Sequence, residues 1–271
     1  MSHVLYDLRD KTALVTGGAG GIGSMTARQL VAKGANVALI DIDEAGLERL
    51  GEELGERAWW QLADVRRSTD LESAVAGAAS KFGGIDVAIA NAATHRIDRI
   101  ETIDPLEFER VVDTTFLGVW HTVRAALPHV LAAQGYVLHV LSMGGVLHSP
   151  FNAPYAAAKA AVNAFANTLR LEVRDRGVDV GVIYFGLIAT EIGVEGVKHP
   201  LIAPIVRGLP PRLIRPRPVD GAARAIVDAI RNRQRVVVFP KTYGPPVRVA
   251  DFSQRMMERQ LRRAVRRSGR G

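Results

Sequence analysis

Thr16-Gly17-Gly18-Ala19-Gly20-Gly21-Ile22-Gly23 stands between a short apolar run, Thr12–Thr16, and a stretch of helical periodicity, Ile22–Lys33. A glycine turn in that place lets the backbone reverse sharply at Gly17 and approach a ligand at Gly21. At Gly23 it lets the following helix lie close on a sheet. The start of such a helix presents unpaired N–H groups and a partial positive charge, which suits a pyrophosphate. No Gly-Lys-[Ser/Thr] follows, so the turn is not a P-loop. The stretch therefore predicts the phosphate corner of a dinucleotide site, with Thr16, Gly17, Ala19, Gly21, Ile22 and Gly23 as its residues.

Outward from this turn the same alternation repeats. Asn36–Ile40 precedes a helical stretch at Glu44–Leu54, Ala58–Ala63 precedes Leu71–Phe82, and Val87–Ala90 precedes one long helical stretch, Pro105–Ala133. Tyr136–Leu141 leads to Tyr155–Arg176, Val178–Tyr184 leads through a loop to Val219–Arg231, and Val236–Phe239 closes the series. Runs that are apolar on both faces suit strands covered by helices on both sides. The expectation is α/β: a doubly wound seven-stranded parallel sheet of Rossmann type, in one domain over residues 8–240. A basic C-terminal extension, 241–271, follows it.

Ligands of such sheets bind beyond the carboxyl ends of the strands. The runs stop at Thr16-Gly17, Asp41, Asp64-Val65, Asn91, Ser142 and Gly186, which places polar and glycine residues on one rim. Asp41 lies 18 residues after Gly23, where a carboxylate can accept from the adenosine ribose hydroxyls and repel a 2′-phosphate. NAD is favoured over NADP. Asp64 and Val65 can meet the adenine edge.

Tyr155-Ala156-Ala157-Ala158-Lys159 puts a phenol and an ammonium on one helix face, four residues apart. Free tyrosine titrates near ~10, so only about 0.3% is phenolate near pH ~7.5. A nearby cation favours the phenolate, and such a tyrosine can exchange a proton with a substrate alcohol. None of the other four tyrosines has a lysine four residues on. Ser142 ends the fifth strand in a loose Ser-Met-Gly-Gly stretch that can bring a hydroxyl to a bound carbonyl.

The T-G-x-x-x-G-x-G turn, Asn91-Ala92-Ala93, a serine thirteen residues before a tyrosine, and Y-x-x-x-K together resemble the short-chain dehydrogenase/reductase superfamily, over about residues 8–240. The resemblance implies Tyr155 as general acid–base and Lys159 lowering its pKa and holding the nicotinamide ribose. It implies Ser142 on the substrate oxygen, Asn91 and Ala92 along the cofactor cleft, and Gly186, Ile188 and Thr190 near the nicotinamide. It also implies a homodimer or homotetramer.

Two positions depart from the family pattern. Thr115, in Asp113-Thr114-Thr115-Phe116-Leu117-Gly118, stands where the family places an asparagine that supports a relay water. Threonine can still hold a water but lacks the amide carbonyl. Phe185-Gly186 replaces the family's Pro-Gly, adding an aromatic face beside the cofactor without showing what it serves.

The proline-rich stretch 190–217 falls where the family has its substrate lid. Ile192, Val194, Val197, Leu201, Ile202, Ile205, Val206 and Leu209, with Met143, Val146, Leu147, Phe151 and Leu187, make an apolar surround. His95, His148 and Asn152 can add polarity. The pattern favours a lipophilic substrate of the steroid-like, terpenoid or acyl-ketone kind. No histidine pair has metal-ligand spacing with a carboxylate, so no catalytic metal is expected.

Of the net charge of +7, six units sit after residue 247, in a tail with eight arginines against Asp251 and Glu258. A nearly neutral body speaks against a nucleic-acid partner. In the tail, Phe252, Met256, Met257, Leu261, Ala264 and Val265 recur at helical spacing opposite the arginines, as a helix that docks on the body, covers a neighbouring subunit or lies on an anionic membrane would require. No span approaches membrane length, and the absence of cysteine suits the reducing cytoplasm. The chain thus reads as a cytoplasmic NAD-dependent oxidoreductase acting on a small molecule, a secondary alcohol or its ketone. The alternatives are a 3-oxoacyl-type ketone reductase and a non-catalytic NAD-sensing protein.

Overall fold

Strands apolar on both faces need two covering layers. The protein's structure, a computed structural model describing residues 5–209, 214–245, 247 and 252, supplies them around seven parallel strands. These are β1 (Thr12–Thr16), β2 (Asn36–Asp41), β3 (Ala58–Leu62), β4 (Val87–Ala90), β5 (Tyr136–Ser142), β6 (Asp179–Phe185) and β7 (Val236–Phe239). They lie in the order β3-β2-β1-β4-β5-β6-β7, so the winding reverses between β1 and β4. Val15 is the register partner of Leu39 on one side and Ile89 on the other.

The helices are α1 (Gly21–Val31), α2 (Glu44–Leu54), α3 (Ser68–Phe82), α4 (Pro105–Val112), α5 (Gly118–Ala132), α6 (Ala153–Val173), α7 (Glu191–Lys198), α8 (Ala203–Arg207) and α9 (Val219–Arg231). Alternation along each strand sorts the core into two layers. Val15, Leu39 and Ile89 face Leu30 of α1, Leu47 of α2 and Ile226 of α9. Their neighbours Leu14, Ile40 and Ala88 face Leu71 of α3, Val123 of α5 and Val162 of α6.

Three stretches differ from the sequence reading. The long helix expected over Pro105–Ala133 is interrupted by a π-helical turn, Asp113–Leu117, between α4 and α5. The lid stretch forms α7 and α8, and an isolated parallel bridge joins Ile188 to Arg217. After β7 the chain turns through Lys241–Tyr243 and stays on the body, with Val247 in the core layer of α5 and α6. The boundary expected at 240 therefore falls inside packed structure. Lid residues 210–213, and the tail helix apart from the exposed Phe252, lie outside the described residues.

Candidate active site

The reversal between β1 and β4 opens a cleft of about 790 Å³ along the carboxyl ends of the strands. Gly17, with φ +67°, makes the sharp turn after β1. A Cβ there would lie 2.8 Å from Asn91 Nδ2, closer than an ordinary contact. Gly23 serves a different contact from the one expected. A Cβ there would strike the Gly17 carbonyl, so this glycine lets α1 close on the turn itself rather than on the sheet.

The turn is fixed by the neighbouring strand ends. Asn91 Nδ2 donates to the carbonyls of Thr16 (2.9 Å) and Gly17 (3.1 Å). The buried Thr16 hydroxyl accepts the N–H groups of Asn91 (3.2 Å) and Ala92 (3.3 Å). Asp41 Oδ2 accepts the Ala19 N–H at 3.0 Å, and Oδ1 accepts the N–H of Ile42 at 2.7 Å. Thr16, Ala19 and Gly23 thus shape the cleft without lining it, whereas Gly17, Gly21, Ile22, Asp41, Asn91 and Ala92 line it.

These residues fit a dinucleotide. Helix α1 begins after Gly20 with no side-chain cap and no acidic residue in its first turn, and Gly20, Gly21 and Ile22 bring its N–H groups and positive end to the cleft. A Cβ on Gly21 would meet nothing nearer than Thr190 Cγ2, at 3.5 Å, which leaves space over the turn. Asp41 lines the cleft one strand away; with the Asp43 N–H also on Oδ1 at 3.2 Å, its carboxylate keeps one lone-pair site on Oδ2. Asp64 and Val65 line it beyond β3, although the Asp64 carboxylate is engaged by Arg66, which holds it below the usual carboxylate range.

At the other end, β5 delivers Ser142 and the first two turns of α6 deliver Tyr155 and Lys159. All three line the cleft. Ser142 Oγ accepts the Gly144 N–H at 3.1 Å, which leaves its proton for Tyr155 or a ligand. Lys159 is 2% exposed and donates from Nζ to the Val140 carbonyl at 2.7 Å. Its Nζ lies 5.7 Å from the centre of the Tyr155 ring.

The electrostatics differ from the expectation that Lys159 lowers the tyrosine pKa. Burial raises Tyr155 above its ordinary value, and only the Ser142 hydroxyl pulls it down. Burial also draws Lys159 down to about 7, because an ammonium without a counter-charge is poorly solvated there. Burial thus works against the ammonium, and with it against its pull on the phenol.

Thr115 is fully buried in the π turn. Its hydroxyl donates to the Thr94 carbonyl (3.0 Å) and accepts the Thr94 N–H (3.1 Å). It does not line the cleft, and its donor is committed to a backbone carbonyl; its neighbour Thr114 is the residue that reaches the cleft. Phe185 is buried edge-on against Phe239 of β7, with ring centres 6.2 Å apart, and also lines the cleft.

Gly186, Ile188, Thr190, Met143, Asn152 and Leu187 line the cleft, as do Leu147, Ile192, Val197 and Ile202 from the apolar set. Thr190 caps α7, its hydroxyl accepting the Gly193 N–H at 3.2 Å. His148 does not line it, although Leu147 and Ser149 on either side do, and its exposed imidazole Nδ1 lies 3.4 Å from the Gly144 carbonyl. Val194, Leu201, Ile205, Val206, Leu209, Val146 and Phe151 are likewise absent from its walls.

His95 does reach the cleft, edge-on to Tyr155 with ring centres 6.5 Å apart, and burial lowers its pKa. Arg66, Thr94, Arg110 and Tyr243 line the cleft without having been singled out in the sequence. Arg66 could have been read from its place two residues after Asp64. Tyr243 carried no local signal, because it arrives only through the fold-back after β7.

Comparison with known proteins agrees with this geometry. The family model described as short chain dehydrogenase matches residues 11–199. The chain is 33% identical over 225 residues to 3beta-hydroxysteroid dehydrogenase 1 of Eggerthella lenta, covering 81% of this chain and 86% of that protein. It is 32% identical over 195 residues to D-beta-hydroxybutyrate dehydrogenase of Cupriavidus necator, covering 70% and 76%. The crystal structure of 3-ketoacyl-(acyl-carrier-protein) reductase from Brucella melitensis complexed with NADH is similar at a TM-score of 0.77 and 27% identity, covering 86% of this chain and 97% of that one. A parallel sheet in this order, a glycine turn at its switch point and a Ser–Tyr–Lys set on the same rim have one common reading: the chain belongs to the short-chain dehydrogenase family.

Proposed function

We propose that the protein is an NAD-dependent oxidoreductase that interconverts a lipophilic secondary alcohol and its ketone. The observation that carries this is the convergence of Ser142, Tyr155 and Lys159 on the cleft whose far end holds the Asp41 carboxylate. Asp41 favours NAD, because a 2′-phosphate would meet a second negative charge.

A bound nicotinamide supplies the hydride donor or acceptor. The chain supplies the rest. Ser142 donates a hydrogen bond to the substrate oxygen, without transferring its proton, while the Gly144 N–H holds its Oγ in place. Tyr155 exchanges the substrate's proton at Oη, and Lys159, anchored on Val140, offers its remaining N–H groups to the cofactor ribose and the phenol. Asn91 keeps the glycine turn and β4 in register, so that the two ends of the cleft stay at a fixed separation.

The lid helices contribute Ile192, Val197 and Ile202 opposite Met143, Leu147 and Leu187, which supports a lipophilic substrate of steroid-like, terpenoid or acyl-ketone type. Thr94, His95 and Asn152 give one wall a polar character. A homo-oligomer in the cytoplasm completes the proposal, on the habit of the family and the cysteine-free composition.

The test is a panel of secondary alcohols and ketones assayed with NAD and NADP side by side, on wild type and Tyr155→Phe. Turnover with NAD is expected, and loss of the phenol should lower kcat by about 10²–10⁴-fold while the NADH Kd stays unchanged. A Tyr155→Phe variant with full turnover would remove the acid–base role. Normal NADH binding with no turnover across the panel favours the non-catalytic NAD-sensing alternative.

A further inference from the structure

An alcohol proton taken up at Tyr155 Oη has to leave the cleft before the next turnover. Thr115 is poorly placed to pass it on. Its hydroxyl gives its only proton to the Thr94 carbonyl, accepts the Thr94 N–H in return, and does not line the cleft.

His95 stands beside the phenol instead. It lies on the loop after β4, half-buried and in the wall of the cleft. Its ring meets that of Tyr155 edge-on, with centres 6.5 Å apart and planes at 77°. Neither ring nitrogen has a hydrogen-bond partner among the described residues, and neither is sealed from the cleft. Beyond the imidazole lies α7 of the lid, where a Cβ on Gly196 would be 3.8 Å from Nε2. Burial holds the ring mostly neutral at neutral pH; the exposed Glu195 favours its charged form, and His199 and Arg110 oppose it. A neutral imidazole accepts a proton at one nitrogen and releases one from the other.

We propose that His95 carries the proton between Tyr155 and solvent during turnover. The inference rests on the oxidoreductase reading above and goes beyond it in giving the proton a path. In alcohol oxidation the hydride goes to the nicotinamide and the alcohol proton to the phenolate oxygen of Tyr155. The phenol then gives that proton to a water in the cleft, and the water gives one of its own to the free nitrogen of His95. The imidazolium releases a proton from its other nitrogen to solvent beside Glu195, which restores the starting state. Ketone reduction runs the same steps in reverse.

The experiment compares wild type, His95→Gln and His95→Ala with NAD and the best alcohol of the panel, and measures the NADH Kd by fluorescence titration. Glutamine keeps a donor and an acceptor but does not titrate. His95→Gln should lower kcat about 10²-fold while KM and the NADH Kd stay near those of wild type. Imidazole added to His95→Ala should restore much of the lost kcat, and substituted imidazoles should do so according to their basicity.

Unchanged kcat in both variants overturns the proposal. So does a raised KM with kcat intact, which marks His95 as a reader of the substrate. A loss of kcat that imidazole does not rescue, or that comes with weakened NADH binding, marks a structural role and overturns it as well. Absence of turnover in wild type would instead overturn the oxidoreductase reading, and this inference with it.

Discussion

Lys159 combines deep burial with one hydrogen-bond partner among the described residues, the Val140 carbonyl. Its pKa falls to about 7 in the folded protein, against about 10.5 for an ordinary lysine. Between those values the unfolded chain binds more protons than the folded one, so stability rises with pH across that window. Below pH ~7 both states are charged and the full cost of the buried ammonium is present; above pH ~10.5 it vanishes. Replacing Lys159 with Met should therefore flatten the rise of Tm between pH ~7 and ~10 in the cofactor-free protein. Parallel Tm–pH curves for wild type and Lys159→Met would show that the ammonium is not desolvated. The same residue illustrates a limit of reading pairs from spacing. Four residues of helix put Lys159 beside Tyr155, but the depth of the β5–α6 contact sets how much charge it carries.

At the scale of elements, the π turn at Asp113–Leu117 is the feature on which the helical pattern was silent. A π turn holds one extra residue within a helix and is often found at functional sites. Here it accompanies a reciprocal pair of bonds between the Thr115 hydroxyl and the Thr94 backbone, which ties α4–α5 to the loop after β4. Thr94 and His95, on that loop, line the substrate end of the cleft. Thr115→Val keeps the shape but leaves the half-buried Thr94 N–H and C=O without that partner, at a cost of about 1 kcal/mol. Denaturant unfolding should show that loss, and Thr115→Ser should restore most of it. A Thr115→Val protein as stable as wild type would deny the bonds a structural role. Apolar periodicity continues through the turn, since Val111, Val119 and Val123 are all buried, and for that reason the pattern read as one helix.

The whole molecule behaves as a sheet with two covered faces and one working edge. Because the cleft joins β1, β2 and β3 to β4, β5 and β6, a ligand spanning it bridges both halves of the sheet. A ligand that binds only the folded state stabilises it by about 2.7 kcal/mol at one hundred times its Kd. For a chain of this size that is a rise in Tm of roughly 5–10 °C. NADH should produce it, and NADPH at the same concentration should produce little. Equal shifts with both would remove the role given to Asp41, and no shift with either would remove the cofactor reading.

The sequence by itself determined the succession of strands and helices along the chain, the glycine turn and the placing of Ser142, Tyr155 and Lys159 on one rim. Those features are written in short range: period-two and period-3.6 burial, a φ that only glycine tolerates easily, and a four-residue spacing on a helix. The tertiary structure alone decided which neighbours complete them. It set Gly23 against Gly17, committed Asp64 to Arg66 and Thr115 to Thr94, turned His148 away, and brought Tyr243 back from beyond β7. Each of these depends on which groups meet when the strand ends, the lid and the terminal turn converge on one rim. Burial and hydrogen-bond partners arise from that convergence, and they fix both the charge of Lys159 and the accessibility of Asp64.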